Sequence, residues 1–358
     1  MKICLLLSAF VFFFSKQSPG QDFSALADSI RKAHKIPELA FAVVSKDSIF
    51  LNVQLGSHRS DRVIPAGAND RFRIGSNTKT VTGLLAIQLV KARKIRWNTS
   101  FFALFPELKI QSNPAYHSLT LLNLLSFRCR LVPYTYTDSR PLITDFHGSE
   151  AEQRRQFCEW FLKQKPVPGK DSFHFSNLAY VAAGMMLEKL SGKTYPQLVE
   201  QLGKELGISF GFGAPNLIDS TQTWGHDAQG LPEKPQHNPK LNWLQSAGNL
   251  NLTTLDLAVF LQEQLRALSG HSRVMTKEEA EFLHFGRPKV ALGWFHNEDD
   301  SGRQFSWHFG NPGTFLSRIY VFPDQDIAFV LQANCQSPEA EEGLTKFMEY
   351  LKAGFLKH

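Results

Sequence analysis

Two Ser-x-x-Lys patterns occur in the chain, Ser29-Ile30-Arg31-Lys32 and Ser76-Asn77-Thr78-Lys79. On a helix, three-residue spacing puts the serine and lysine on one face, one turn apart. At a helix N-terminus the unpaired N–H groups and the dipole favour a developing negative charge. A lysine held in an apolar site sheds its proton near neutral pH and can then take one from serine, which is the logic of covalent catalysis. The first pattern lies mid-helix with nothing around it to suggest chemistry. The second follows Phe72-Arg73-Ile74-Gly75 and opens a long apolar helix, so Ser76 and Lys79 are the candidate nucleophile and base. The competing reading makes Ser76 an N-cap and Lys79 a solvated first-turn residue. A Gly-x-Ser-x-Gly at Gly207-Ile208-Ser209-Phe210-Gly211 is a rival nucleophile. That motif needs a strand-to-helix elbow. Here a helix precedes it and a Gly/Pro loop follows, so a helix-ending loop is expected.

The elements that must position these residues follow from hydrophobic period. Helices are expected at 22–34, 78–91, 119–126, 150–163, 178–190, 195–205, 254–267 and 338–351. Strands are expected at 39–44, 48–55, 290–296, 304–309, 315–322 and 327–333. Strands at both chain ends and helices between them imply an α+β fold. An antiparallel sheet of N- and C-terminal strands is flanked by helices, and a mostly helical domain is inserted. The expected division is 21–115 plus 286–358 for the sheet domain and 116–285 for the insertion.

Several blocks, in order, resemble the serine β-lactamase/penicillin-binding-protein-like family, which includes class C β-lactamases, D-Ala-D-Ala carboxypeptidases and related esterases. Phe72 to Lys79 resembles its nucleophile block. Leu121 to Ser126 resembles the helix beyond it, and Phe175-Ser176-Asn177 its second catalytic block. His308-Phe309-Gly310, followed by Gly313, resembles the third motif on the active-site strand. The resemblance spans about residues 24 to 350. It implies that Ser76 is acylated, that Lys79 is its base, and that Asn177 holds Lys79 and the substrate carbonyl. The N–H groups of Ser76 and Asn311 would form the oxyanion hole beside Gly310. His308 would line the opposite wall, charged only below about its reference pKa of 6.5. A histidine there points toward peptidase-like or esterase-like members rather than lysine-bearing β-lactamases. Taken alone, Ser176-Asn177 is also what an N-cap looks like.

Two departures stand out. The second motif normally begins with Tyr, and here it is Phe175, which cannot transfer a proton. Lys79 could act alone, or His174, Tyr134, Tyr136 or Tyr180 could substitute. Where relatives carry His-x-Ser-Gly-Leu, this chain has Phe127-Arg128-Cys129-Arg130-Leu131. The expectation is a serine hydrolase cleaving an ester or amide of a small molecule or peptide. The alternative is a catalytically weakened homologue that binds peptide or cell-wall fragments.

Composition bounds the rest. The formal charge is +6, but the 39 Lys and Arg form no run, so no nucleic-acid partner is expected. Lys2, the apolar run Ile3 to Phe14 and the small residues before Gln21 read as a signal peptide over 1–20. The expected location is secreted or periplasmic, without a membrane span after cleavage. Cys129, Cys158 and Cys335 allow one disulfide or three buried thiols, and no spacing suggests metal. No cofactor is expected. The 30 Phe against 7 Tyr leave few phenols to stand in at position 175.

Overall fold

The structure, a computed structural model, describes residues 19–169, 173–234 and 239–357. The apolar leader at 1–18 lies outside the described residues.

The strands are β1 (Glu38–Val44), β2 (Ile49–Arg59), β3 (Arg62–Pro65), β4 (Arg71–Arg73), β5 (Gly211–Phe212), β6 (Leu250–Thr253), β7 (Phe295–Glu298), β8 (Gln304–Gly310), β9 (Leu316–Phe322) and β10 (Ile327–Ala333). The longer helices are α1 (Pro19–Ala33), α2 (Thr78–Lys91), α3 (Leu121–Leu125), α4 (Glu150–Leu162), α5 (Asn177–Ser191), α6 (Tyr195–Leu206), α7 (Thr254–Leu268), α8 (Lys277–Phe285) and α9 (Pro338–Phe355).

Seven strands form one antiparallel sheet in the order β3-β2-β1-β10-β9-β8-β7. The first and last parts of the chain meet at its centre, where Phe41 pairs with Leu331. Alternation sorts the side chains to two faces. Leu39, Phe41, Val43, Phe329 and Leu331 pack with Ala27, Ile30, Leu344 and Phe347 of α1 and α9. Ala42, Val44, Ala328 and Val330 join the larger core with Leu84 of α2, Val181 of α5 and Leu261 of α7. The central strands are buried on both faces, so they read as near-continuous apolar runs.

Two expectations need correcting. The strand expected over 290–296 is instead a turn followed by β7. Gly293 has φ +84°, and the Ala291 N–H donates to the Trp294 carbonyl. That turn lays the Gly293 backbone against the Lys79 carbonyl, where a Cβ would collide. The segment expected to be helices and loops also holds β5 and β6; β6 pairs with both β4 and β5 in a second sheet of order β4-β6-β5. Strands of two to four residues carry too few residues for a period to show. Cys129, Cys158 and Cys335 are all free and buried. Gly207 ends α6 in the left-handed region at φ +70°, and among the described residues Ser209 offers its carbonyl, to Arg71. The Gly-x-Ser-x-Gly is therefore a helix-ending loop.

Candidate active site

The nucleophile turn is fixed from both sides. The Ile74 N–H donates to the Leu250 carbonyl of β6. Gly75 then turns left-handed at φ +50°, and a Cβ on it would stand 2.9 Å from the Asn311 nitrogen and 3.0 Å from Pro312 Cδ. Only glycine suits both the dihedral and the approach. Ser76 sits in a 3-10 turn, Gly75–Asn77, that runs into α2. Residues three apart eclipse in that geometry, so Ser76 and Lys79 still meet. Asn77 anchors the turn by donating to Ser317 Oγ at 2.9 Å on β9.

The end of β8 presses on the same turn, since a Cβ on Gly310 would overlap the Ile74 carbonyl oxygen. We expect Gly310→Ala to destabilise the fold by about 1–3 kcal/mol, the usual cost of overpacking. The denaturant midpoint is the readout, and an unchanged midpoint would show that the contact is not tight.

Lys79 is fully buried. Its Nζ lies 2.9 Å from Ser76 Oγ, 2.7 Å from Asn177 Oδ1 and 2.7 Å from the Ala247 carbonyl oxygen. Asn177 Nδ2 donates to the Tyr134 carbonyl at 2.7 Å, which orients its amide with the oxygen toward Lys79. Burial pushes the Lys79 pKa well below the usual lysine range. A neutral amine has two hydrogens and one lone pair. The two carbonyl-type acceptors take both hydrogens, which leaves the lone pair for the Ser76 hydroxyl proton. Among the described residues, Lys79 is the group within hydrogen-bond reach of Ser76 Oγ.

Asn177 is thus placed for the site and does not cap its helix. Neither does Ser176, whose hydroxyl donates to the Val132 carbonyl at 2.8 Å. Ala247 could not be found from sequence, because every residue carries a carbonyl. Its position comes from the short helix over 245–248 that packs against α2 and α5.

Phe175 stands where a phenol was expected. Its ring centroid is 4.9 Å from Lys79 Nζ, and Phe127 packs against it at 4.9 Å. The Tyr substitutes are committed elsewhere. Tyr134 packs its ring on Phe157 and Phe161 and gives the site only its carbonyl. The Tyr136 hydroxyl donates to the Pro312 carbonyl at 2.6 Å. Tyr180 donates to the Leu125 carbonyl at 2.7 Å. His174 makes no hydrogen bond to Ser76 or Lys79 among the described residues.

The Arg-for-Gly departure has a cost. Arg130 holds φ +55°, a conformation that suits the glycine of the relatives better. Two bonds compensate: Arg130 Nε donates to the Val167 carbonyl at 2.8 Å, and the Val167 N–H donates back at 2.9 Å.

His308 is buried on β8, and the expectation of a wall that charges near pH 6.5 is corrected. Burial first, and the neighbouring Lys79 second, push its pKa down to about 3. Its Nδ1 lies 2.8 Å from the Phe309 carbonyl oxygen, an acceptor only, so Nδ1 carries the proton. Nε2 is a buried lone pair with no partner. His308 is therefore a neutral acceptor, unsuited to gripping a carboxylate.

A set of donor types that could gather a metal ion lies elsewhere, at Glu38, His58 and Asp70. His58 Nε2 is 2.7 Å from Asp70 Oδ1, Asp70 accepts from the Gly67 N–H, and Thr223 donates to Glu38. Burial first, and the Asp70 charge second, raise the Glu38 pKa well above the usual carboxyl range.

A family model described as Beta-lactamase matches residues 23–349. Protein flp from Staphylococcus aureus is 24% identical over 353 residues, which is 96% of this chain and 68% of flp. The chain thus spans about two thirds of that relative. The octameric penicillin-binding protein homologue from Pyrococcus abyssi superposes with a TM-score of 0.74 at 19% identity, over 92% of this chain and 77% of that one. A class C beta lactamase from Rhodobacter sphaeroides gives 0.74 at 17% identity, over 92% and 99%.

Proposed function

The chain belongs to the Beta-lactamase family, and from that premise we propose that it is a serine hydrolase cleaving an ester or amide through an acyl-Ser76 intermediate. The observation that carries this reading is the buried Lys79, whose Nζ lies within hydrogen-bond reach of Ser76 Oγ, Asn177 Oδ1 and the Ala247 carbonyl oxygen. Ser76 Oγ attacks the carbonyl carbon while its proton passes to Lys79 Nζ. The oxyanion is met by the Ser76 and Asn311 N–H groups, which border each other across Gly75. The tetrahedral centre expels the leaving group, which takes the proton back from Lys79. Water then attacks the acyl-enzyme while its proton passes to Lys79, and the second tetrahedral centre breaks its bond to Ser76 Oγ, which takes the proton back from Lys79 as the acid leaves. The Tyr180 ring lies 5.6 Å from Lys79 Nζ, but its hydroxyl donates to the Leu125 carbonyl, so Lys79 performs both transfers. The neutral His308 favours substrates that present no anion at that wall, hence esters and amides over C-terminal carboxylates.

Covalent labelling tests the proposal. A fluorophosphonate or penicillin-type probe is expected to add one adduct at Ser76, and Ser76→Ala to abolish it. A folded preparation that takes no label would overturn the reading. Nitrocefin separates a true β-lactamase from an esterase.

Phe175 favours a second reading, a weakened homologue that binds peptide or cell-wall fragments, because positioned proton transfer contributes about 10²–10⁴ in rate. We also propose export, supported by the apolar leader after Lys2. A mature protein that begins at Gln21 is the expected N-terminal sequence.

A further inference from the structure

Arg73 lies three residues before the nucleophile, and its guanidinium is an anomaly. It is 3% exposed. It makes no hydrogen bond and no ion pair with any described residue, and its Nε and Nη2 are buried without partners. A buried, unpaired cation is strongly disfavoured unless an anion joins it. Glu233 lines the same cavity and adds its field, but its Oε2 accepts from Thr314 Oγ1 at 2.6 Å.

Arg73 lines a cavity of about 290 Å³, the size of a small ligand or of one substituent of a larger one. Other walls of the same cavity are equally underused. Asn216 Nδ2, Gln245 Oε1 and Asn249 Oδ1 are buried side-chain atoms with no partner. One cavity thus gathers a cationic fork, an amide donor and two amide acceptors that no described residue satisfies.

The cavity adjoins the nucleophile on two sides. Asn249 follows Gly248, whose Cβ would stand 3.7 Å from the Gly75 carbonyl carbon and 3.9 Å from the Ser76 nitrogen. Tyr136, another wall, bonds Pro312, the neighbour of Asn311. Arg73 itself precedes Ser76 by three residues, so their Cα atoms are at most about 11 Å apart. That is within the length of one substrate.

We propose that Arg73 and this cavity form a subsite for a carboxylate carried by the substrate, a reading that rests on Ser76 being the acylated nucleophile. The guanidinium fork pairs with the two carboxylate oxygens. Asn216 supplies a further donor, and Gln245 and Asn249 accept from an N–H beside the carboxylate. Glu233 sets a repulsive rim that limits affinity.

The test compares p-nitrophenyl half-esters of glutaric and adipic acid with p-nitrophenyl pentanoate and hexanoate, each corrected for its uncatalysed rate. A second arm carries the carboxylate on the leaving group, with 4-carboxyphenyl butyrate against phenyl butyrate. The expected result is at least a tenfold higher kcat/KM for the charged member in one arm. Arg73→Met should collapse that ratio, Arg73→Lys should retain part of it, and Glu233→Gln should raise it several-fold. No preference in either arm, or a preference that survives Arg73→Met, overturns the subsite. If no ester is turned over, the hydrolase reading fails separately, and calorimetric titration of Ser76→Ala with glutarate decides the subsite. Binding weakened at least tenfold by Arg73→Met supports it, and no binding overturns it. Thermal melting guards against misfolding: a ligand site predicts that Arg73→Met melts no lower than wild type without ligand, whereas a structural arginine predicts a lower melt.

Discussion

Lys79→Met is expected to slow acylation of Ser76 by about 10²–10⁴-fold, the range for losing a positioned base. Burst kinetics with a p-nitrophenyl ester measure it directly. Methionine keeps the length and apolar stem of lysine but has no lone pair for the Ser76 proton. A rate within a few-fold of wild type would remove Lys79 from the mechanism. The pH dependence gives an independent check. Burial lowers the folded-state pKa of Lys79 from 10.5, so the base is present above the lowered value and is lost as pH falls through it. The wild-type rate should therefore fall on the acid side with one proton uptake. His308, down at about 3, adds no limb between pH 5 and 8. Stability carries the same sign. Between the lowered pKa and 10.5 the unfolded chain binds one more proton than the folded one. Stability should thus rise with pH by about 1.4 kcal/mol per unit from this group. Lys79→Met should flatten that slope.

Phe175→Tyr is expected to raise ester turnover by up to about 10²-fold, the lower end of what a positioned proton-transfer group contributes. The Phe175 ring is held over Lys79 by Phe127, so a phenol added there starts beside the base. Tyr134, Tyr136 and Tyr180 each have the hydroxyl or ring engaged away from Ser76, so no existing phenol competes with it. A gain of that size from a nearly inactive wild type supports the binding-protein reading. An active wild type with a neutral or harmful Phe175→Tyr excludes it. In that case Lys79 alone carries both proton transfers.

Much of the frame was legible in the sequence because it rests on long periods. The helix 78–91 and the strand 327–333 appear as expected, each with enough residues for its period to show. The Ser76–Lys79 pair was legible because both members lie within one turn of chain. Phe175 was legible as an absence, since a motif position shows its residue type directly.

What tertiary structure decided is whatever depends on groups distant in the chain. The Ala247 carbonyl, 168 residues from Lys79, carries no mark in sequence, yet it takes one amine hydrogen and frees the lone pair for Ser76. The charge of His308 is not legible in sequence, which gives the residue type, while burial and the neighbouring Lys79 set the charge. Arg73 reads in sequence as one polar residue between Phe72 and Ile74. Only the folded chain closes a cavity around it and leaves its guanidinium without a partner among the described residues. Local spacing determined which residues could react. Desolvation and long-range contacts determined their protonation, because both depend on what surrounds a group rather than on what precedes it.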